Sequence, residues 1–137
     1  MITVFTNGCF DIIHLGHIKL LEECKKISKN GRVVVGLNSD KSVKRLKGKT
    51  RPINDQQSRK VVLESIKFVD EVIIFEEDTP EVLLSHLKPD ILVKGGDYTL
   101  EKIVGKQYAK RVVIFEYVDG YSTTNIIEKS VSNFGDR

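Results

Sequence analysis

Two histidines, His14 and His17, stand in the segment Gly8-Cys9-Phe10-Asp11-Ile12-Ile13-His14-Leu15-Gly16-His17. At the entrance of a helix, a spacing of three residues turns both rings to one side. A helix N-terminus offers unpaired backbone N–H groups and a partial positive charge, and two imidazoles add directional donors. Gly16 between them lets the backbone come close to a ligand. Such a set suits an anion as large as a triphosphate. A chance pair of histidines is the bland alternative. Zinc is another, because Cys9, His14, His17 and Cys24 are all legal ligands. Cys24 falls on the inner face of the helix that follows, which reads as core.

Three further groups have the chemistry to meet phosphate or sugar. Ser122-Thr123-Thr124 places three hydroxyls at the start of a last helix. Ser122 alone is an ordinary N-cap, but the three hydroxyls with the free N–H groups make a second anion cradle. Lys41, Lys44, Arg45, Lys47, Lys49 and Arg51 crowd one loop that contains Gly48. A solvated basic face explains such a run, and so does contact with anionic substrates. A nucleic-acid patch would call for interleaved aromatic side chains, and none is present. Lys94, Gly95, Gly96, Asp97 and Tyr98 follow a strand end, where a base or sugar would sit.

The elements that must position these residues alternate in type. Residues 2–6 read as a buried strand stopped by Asn7-Gly8. From Gly16 the apolar positions His17, Leu20, Leu21, Cys24 and Ile27 recur at helical spacing, and Asn30-Gly31 closes that helix. A strand over 33–37 and a short helix over 41–46 follow. The spacing then predicts a helix over 56–68 with Val61, Val62, Ser65, Ile66 and Val69 on its inner face. A strand over 71–75 leads to a helix capped by Thr79 with Pro80 at its first position. Strands over 91–93 and 111–117 and the helix after Ser122 complete the order β-α-β-α-α-β-α-β-β-α. Strands of this kind alternating with helices imply an α/β chain: a single Rossmann-like, three-layer domain with a mostly parallel five-stranded sheet. Ligands on such sheets sit at the carboxyl ends of the strands, where strand order reverses.

Composition agrees with one domain. The 137 residues are 40% hydrophobic and 30% charged, with a net charge of +3. Domains of ~100–150 residues are the commonest size, so residues 1–137 read as one domain with a tail from about 132. Two cysteines are too few for a disulfide scaffold, and no run approaches the ~18 apolar residues of a membrane span. No secretory start is visible either, so a cytoplasmic protein is expected.

The histidine segment resembles the HxGH segment of the nucleotidyltransferase superfamily, which includes cytidylyltransferases, pantetheine-phosphate adenylyltransferases and some aminoacyl-tRNA synthetases. Further segments occur in the order of one branch: Asn38-Ser39-Asp40, Lys44-Arg45-Leu46-Lys47-Gly48, Arg51-Pro52-Ile53-Asn54, Phe75 to Pro80, Val93 to Tyr98, and Gly120 to Ile127. Together they are similar to the adenylyltransferase domain of bacterial ADP-heptose synthases, over 4–130. The resemblance implies that a phosphate oxygen of D-glycero-β-D-manno-heptose 1-phosphate attacks the α-phosphorus of ATP, and pyrophosphate leaves. It implies His14, His17 and Lys47 as catalytic residues. It implies Thr6, Asn7, Gly8, Phe10, His14, Gly16, His17, Lys94, Gly95, Asp97, Ser122, Thr123 and Thr124 around the nucleotide. Asp11, Lys44, Lys47 and Arg59 would meet the acceptor.

Mg²⁺ is expected to arrive with ATP, since the chain offers no carboxylate cluster resembling an all-protein metal cage. ATP and a sugar phosphate are the implied partners, with no nucleic acid and no membrane. The likeness also suggests a homodimer, and a separate sugar kinase to supply the sugar phosphate. A cytidylyltransferase making a CDP-alcohol such as CDP-glycerol is the alternative. Two departures disfavour it: Gly96 replaces the first acid of the Gly-Asp-Asp-Trp stretch of glycerol-phosphate cytidylyltransferases, and Tyr117 replaces an arginine of their last motif. A shortened stretch over 105–112 departs from the heptose branch.

Overall fold

Runs of Val, Ile and Phe form the centre of the molecule. The computed structural model describes residues 1–96 and 102–116. Its five strands are β1 (Thr3–Gly8), β2 (Arg32–Asn38), β3 (Glu71–Phe75), β4 (Ile91–Gly95) and β5 (Arg111–Phe115). They lie in the order β3-β2-β1-β4-β5. Every pairing is parallel, so the sheet expected to be mostly parallel is parallel throughout the described residues. Among the described residues four helices connect the strands: α1 (Leu15–Ile27), α2 (Asp40–Lys47), α3 (Gln56–Glu64) and α4 (Glu81–Leu87). A 3₁₀ turn over Lys106–Tyr108 precedes β5. This is the expected Rossmann-like α/β arrangement.

Successive residues of a strand face opposite sides, which is why β2 has no polar face. Val33 packs with Val4, Leu20 and Cys24, and Val35 and Leu37 pack with Leu21 and Leu63, so α1 and α3 cover one side. Val34 packs with Phe5, Leu84 and Leu92, so α4 covers the other. Each such side chain contributes about 1.5–3 kcal/mol by leaving water. Three layers result. Among the described residues no helix is long and apolar enough to cross a membrane.

Three local expectations are corrected. The helix expected over 56–68 ends at Glu64, where the Ser65 hydroxyl and N–H both donate to the Val61 carbonyl. Val61 and Val62, expected inside, are 61% and 47% exposed; Arg59 and Leu63 hold the inner stripe instead. Thr79 does not cap α4: Pro80 stands at the cap with no side-chain hydrogen bond, and Glu81 opens the helix. After α1, Lys29 and Asn30 take left-handed backbone (φ 52° and 63°). Gly31 is needed for a different reason, because a Cβ there would lie 2.1 Å from the Ile2 carbonyl oxygen. Tyr117 and the helix expected after Ser122 lie outside the described residues.

Candidate active site

The sheet opens where its strand order reverses. β1 stays paired with β2 to Gly8↔Leu37, but its ladder with β4 covers only Val4↔Ile91 and Phe5↔Leu92. Beyond Phe5 the two strands part, leaving Thr6, Asn7 and Gly8 on one lip and Lys94 and Gly95 on the other. The Thr6 hydroxyl is buried and has no hydrogen-bond partner among the described residues. A buried donor left in this way costs about 1–3 kcal/mol, so it suits a ligand able to accept from it.

β1 delivers the chain directly to the histidines. Phe10 adopts φ 45°, and its ring lies against Gly8, where a Cβ would come within 3.1 Å. The turn ends at His14, the N-cap of α1. Its Nδ1 accepts the Gly16 N–H at 3.1 Å, and Nδ1 of His17 accepts the His14 N–H at 3.2 Å. This is a capping box built from imidazoles in place of hydroxyl and carboxylate. The rings lie 3.8 Å apart at 31°, and Phe10 sits 5.1 Å from His17. A neutral imidazole that accepts at Nδ1 carries its proton on Nε2. Both rings are neutral at pH 7: burial pushes the pKa of His17 down to about 4, with His14 adding to it, and burial lowers that of His14. No acid stands in the first turn of α1, so its positive end is left for an anion.

Lysines approach from two sides. Burial lowers the pKa of Lys94, and the Cys9 thiol opposes that shift. Burial raises the pKa of Cys9, while Lys47, Arg59 and Arg51 pull it down. Cys9 therefore marks the point where the end of β1, the basic loop and β4 converge. Lys44, Lys47 and Lys49 are exposed around Gly48, which takes φ 106°. Arg45 turns away to Asp78 (2.8 Å) and the Glu76 carbonyl. Cys24 lies in the core, its pKa pushed up to about 12 by burial. Among the described residues no three His, Cys, Asp or Glu side chains gather as metal ligands.

Asp11 and Arg59, expected at the acceptor, are both buried and paired within the chain. Asp11 is 3% exposed, and its carboxylate accepts from Arg51 Nε at 3.1 Å, Ile53 N–H at 2.7 Å and Asn54 N–H at 2.9 Å. Arg59 is 1% exposed and donates to backbone carbonyls and Asp40. A cavity of about 200 Å³ lies beside these two residues, walled also by Ile12, Ile13 and Ser58. Sequence reasoning missed Asn38, Asp40, Arg51 and Asn54 as parts of the site's frame. The signal for Arg59 was its i, i+4 relation to Leu63 on the inner stripe of α3. Asp97, Ser122, Thr123 and Thr124 lie outside the described residues.

The sequence profile of the cytidylyltransferase-like family matches residues 5–129. The chain belongs to that family. It is 58% identical over 126 residues to the bifunctional protein HldE of Campylobacter fetus, covering 92% of this chain and 27% of that protein. The bifunctional protein HldE of Nitratiruptor is 56% identical over the same shares. The chain thus spans about a quarter of the length of these curated relatives. Among solved structures, the lipopolysaccharide core biosynthesis protein of Thermoplasma volcanium matches with a TM-score of 0.72 and 34% identity, over 87% of this chain and 99% of that one.

Proposed function

We propose that this chain is an adenylyltransferase that transfers AMP from ATP to a sugar 1-phosphate, D-glycero-β-D-manno-heptose 1-phosphate, giving ADP-heptose and pyrophosphate. The observation that carries the reading is the neutral imidazole pair capping α1 beside the opened β1–β4 crevice. Family membership and the likeness to HldE support it. The acceptor phosphate oxygen forms a bond to the α-phosphorus, and the bond from that phosphorus to the bridging oxygen breaks. Pyrophosphate leaves with the electron pair. The attacking oxygen is already ionised, so no general base is required. Catalysis then rests on alignment and on donors that meet charge as it develops.

Each element has a part in that scheme. His14 and His17 donate from Nε2 to the triphosphate, and the N-terminus of α1 adds its N–H groups. Lys47, with Lys44, draws the two anionic substrates together, and Lys94 faces the nucleotide from β4. ATP enters as its Mg²⁺ complex, so the metal belongs to the substrate. Asp97, Ser122, Thr123 and Thr124 complete the nucleotide site in this reading. A sugar kinase supplies the acceptor, the reaction runs in the cytoplasm, and the enzyme works as a homodimer, which sedimentation at micromolar concentration tests.

Pyrophosphate release decides the reaction. Purified chain is incubated with ATP or CTP, each with Mg²⁺, against heptose 1-phosphate and glycerol phosphate. Turnover with ATP and the heptose phosphate is expected. Turnover confined to CTP with glycerol phosphate would overturn the adenylyltransferase reading in favour of CDP-alcohol synthesis.

A further inference from the structure

A cation buried as completely as Arg59 needs a reason, because removing a guanidinium from water is costly unless its donors are met. Here Nε donates to the Asn54 carbonyl at 2.9 Å, and Nη1 donates to the carbonyls of Cys9 and Asn38, both at 2.8 Å. Nη2 donates to Asp40 Oδ1, also at 2.8 Å. Cys9 directly follows β1, Asn38 ends β2, Asp40 opens α2 and Asn54 precedes the N-cap of α3. One planar fork thus joins three places in the chain: Cys9, the stretch from Asn38 to Asp40, and Asn54. Asp11 makes a second tie nearby, holding Arg51, Ile53 and Asn54. Between the two tied ends run the last turn of α2 and the loop after it, with Lys44, Lys47 and Lys49 exposed.

We propose that Arg59 is a positioning residue for phosphate transfer: its fork ties the carboxyl ends of β1 and β2 to the starts of α2 and α3, and so sets where the loop lysines stand relative to the histidine pair. The residue does not meet substrate. Four of its five N–H donors are already committed to this chain, three of them to backbone carbonyls. A lysine cannot replace it, since a single ammonium lacks the fork that reaches acceptors in several directions. The inference rests on the adenylyltransferase reading only for its kinetic consequence; the tie itself is a property of the fold.

Arg59→Lys, Lys47→Ala and the double variant test the proposal in the whole chain. Misplacing catalytic groups by an ångström costs roughly 10²-fold. Arg59→Lys should therefore lower kcat by about 10- to 100-fold while the KM for ATP stays within about threefold. Because Arg59 acts through the loop, the same change in the Lys47→Ala background should cost less than about twofold more. Hydrogen exchange at the Ile53 and Asn54 amides and across 44–51 should quicken in Arg59→Lys, with β1 and β2 unchanged. Should Arg59→Lys fail to fold, Asp40→Ala removes one of the four acceptors and should give the same pattern, smaller.

Wild-type kcat in these variants would overturn the proposal, as would losses that multiply fully with Lys47→Ala. A rise only in the KM for the sugar phosphate would make Arg59 a direct ligand and overturn it too. If the unaltered chain turned over no sugar phosphate, the functional reading would fall. The exchange measurement would then decide the positioning role alone, and unchanged loop exchange would sink it.

Discussion

His17 uses its two ring nitrogens differently. Nδ1 accepts the His14 N–H and fixes the ring; that leaves Nε2 as the donor. Removing one such donor from a developing negative charge costs ~10²–10³ in kcat. His17→Ala should lose turnover by that factor in the pyrophosphate assay, and near-normal turnover would end the assigned role. The same burial makes a stability prediction. The folded pKa of about 4 lies below the ~6.5 of an unfolded histidine, so the unfolded state takes up the proton first as pH falls. Stability from this residue is therefore complete above about pH 6.5 and is lost as pH drops toward 4. Between about pH 7.5 and about pH 5 the loss is on the order of 2 kcal/mol. Urea unfolding at both pH values should show it, and His17→Gln should remove most of the difference.

At the scale of elements, α3 shows what patterning reveals and what it conceals. Its inner face is Arg59 and Leu63, with Val61 and Val62 on the solvent side. Leu63→Ala should thus cost about 2–5 kcal/mol in chemical denaturation, while Val61→Ala should stay within about 0.5 kcal/mol. Equal losses would mean the helix packs in another rotation. Hydrophobic periodicity placed the start of α3 correctly but ran it past Glu64, and it turned the helix wrongly because it counts an arginine as outward. The strand–helix alternation and the place of the two histidines at a helix entrance were legible, since both depend on residues within one turn or strand. The ties made by Asp11 and Arg59 were not. Asp11 binds Arg51, Ile53 and Asn54 some forty positions away, and Arg59 gathers the carbonyls of Cys9 and Asn38, neighbours that only the assembled fold creates.

At the scale of the whole molecule, the candidate site belongs to no single element. β1 and β4 supply the lips of the crevice, α1 the histidines, and the last turn of α2 with the loop after it the lysines. A nucleotide held by all of them would add a further cross-link between these segments, so binding should stabilise the entire fold. For one site, ligand at 100 times its Kd adds about 2.7 kcal/mol to stability. For a domain of 137 residues that corresponds to a rise in Tm of roughly 10 °C. ATP with Mg²⁺ should produce such a rise, and CTP at equal concentration a smaller one. Replacing both Lys44 and Lys47 by Ala should shrink the ATP shift without lowering the Tm of the free protein by much, because both side chains are exposed and stand outside the core. A shift indifferent to those lysines would move the triphosphate away from the loop, and a larger shift with CTP than with ATP would reverse the assigned nucleotide.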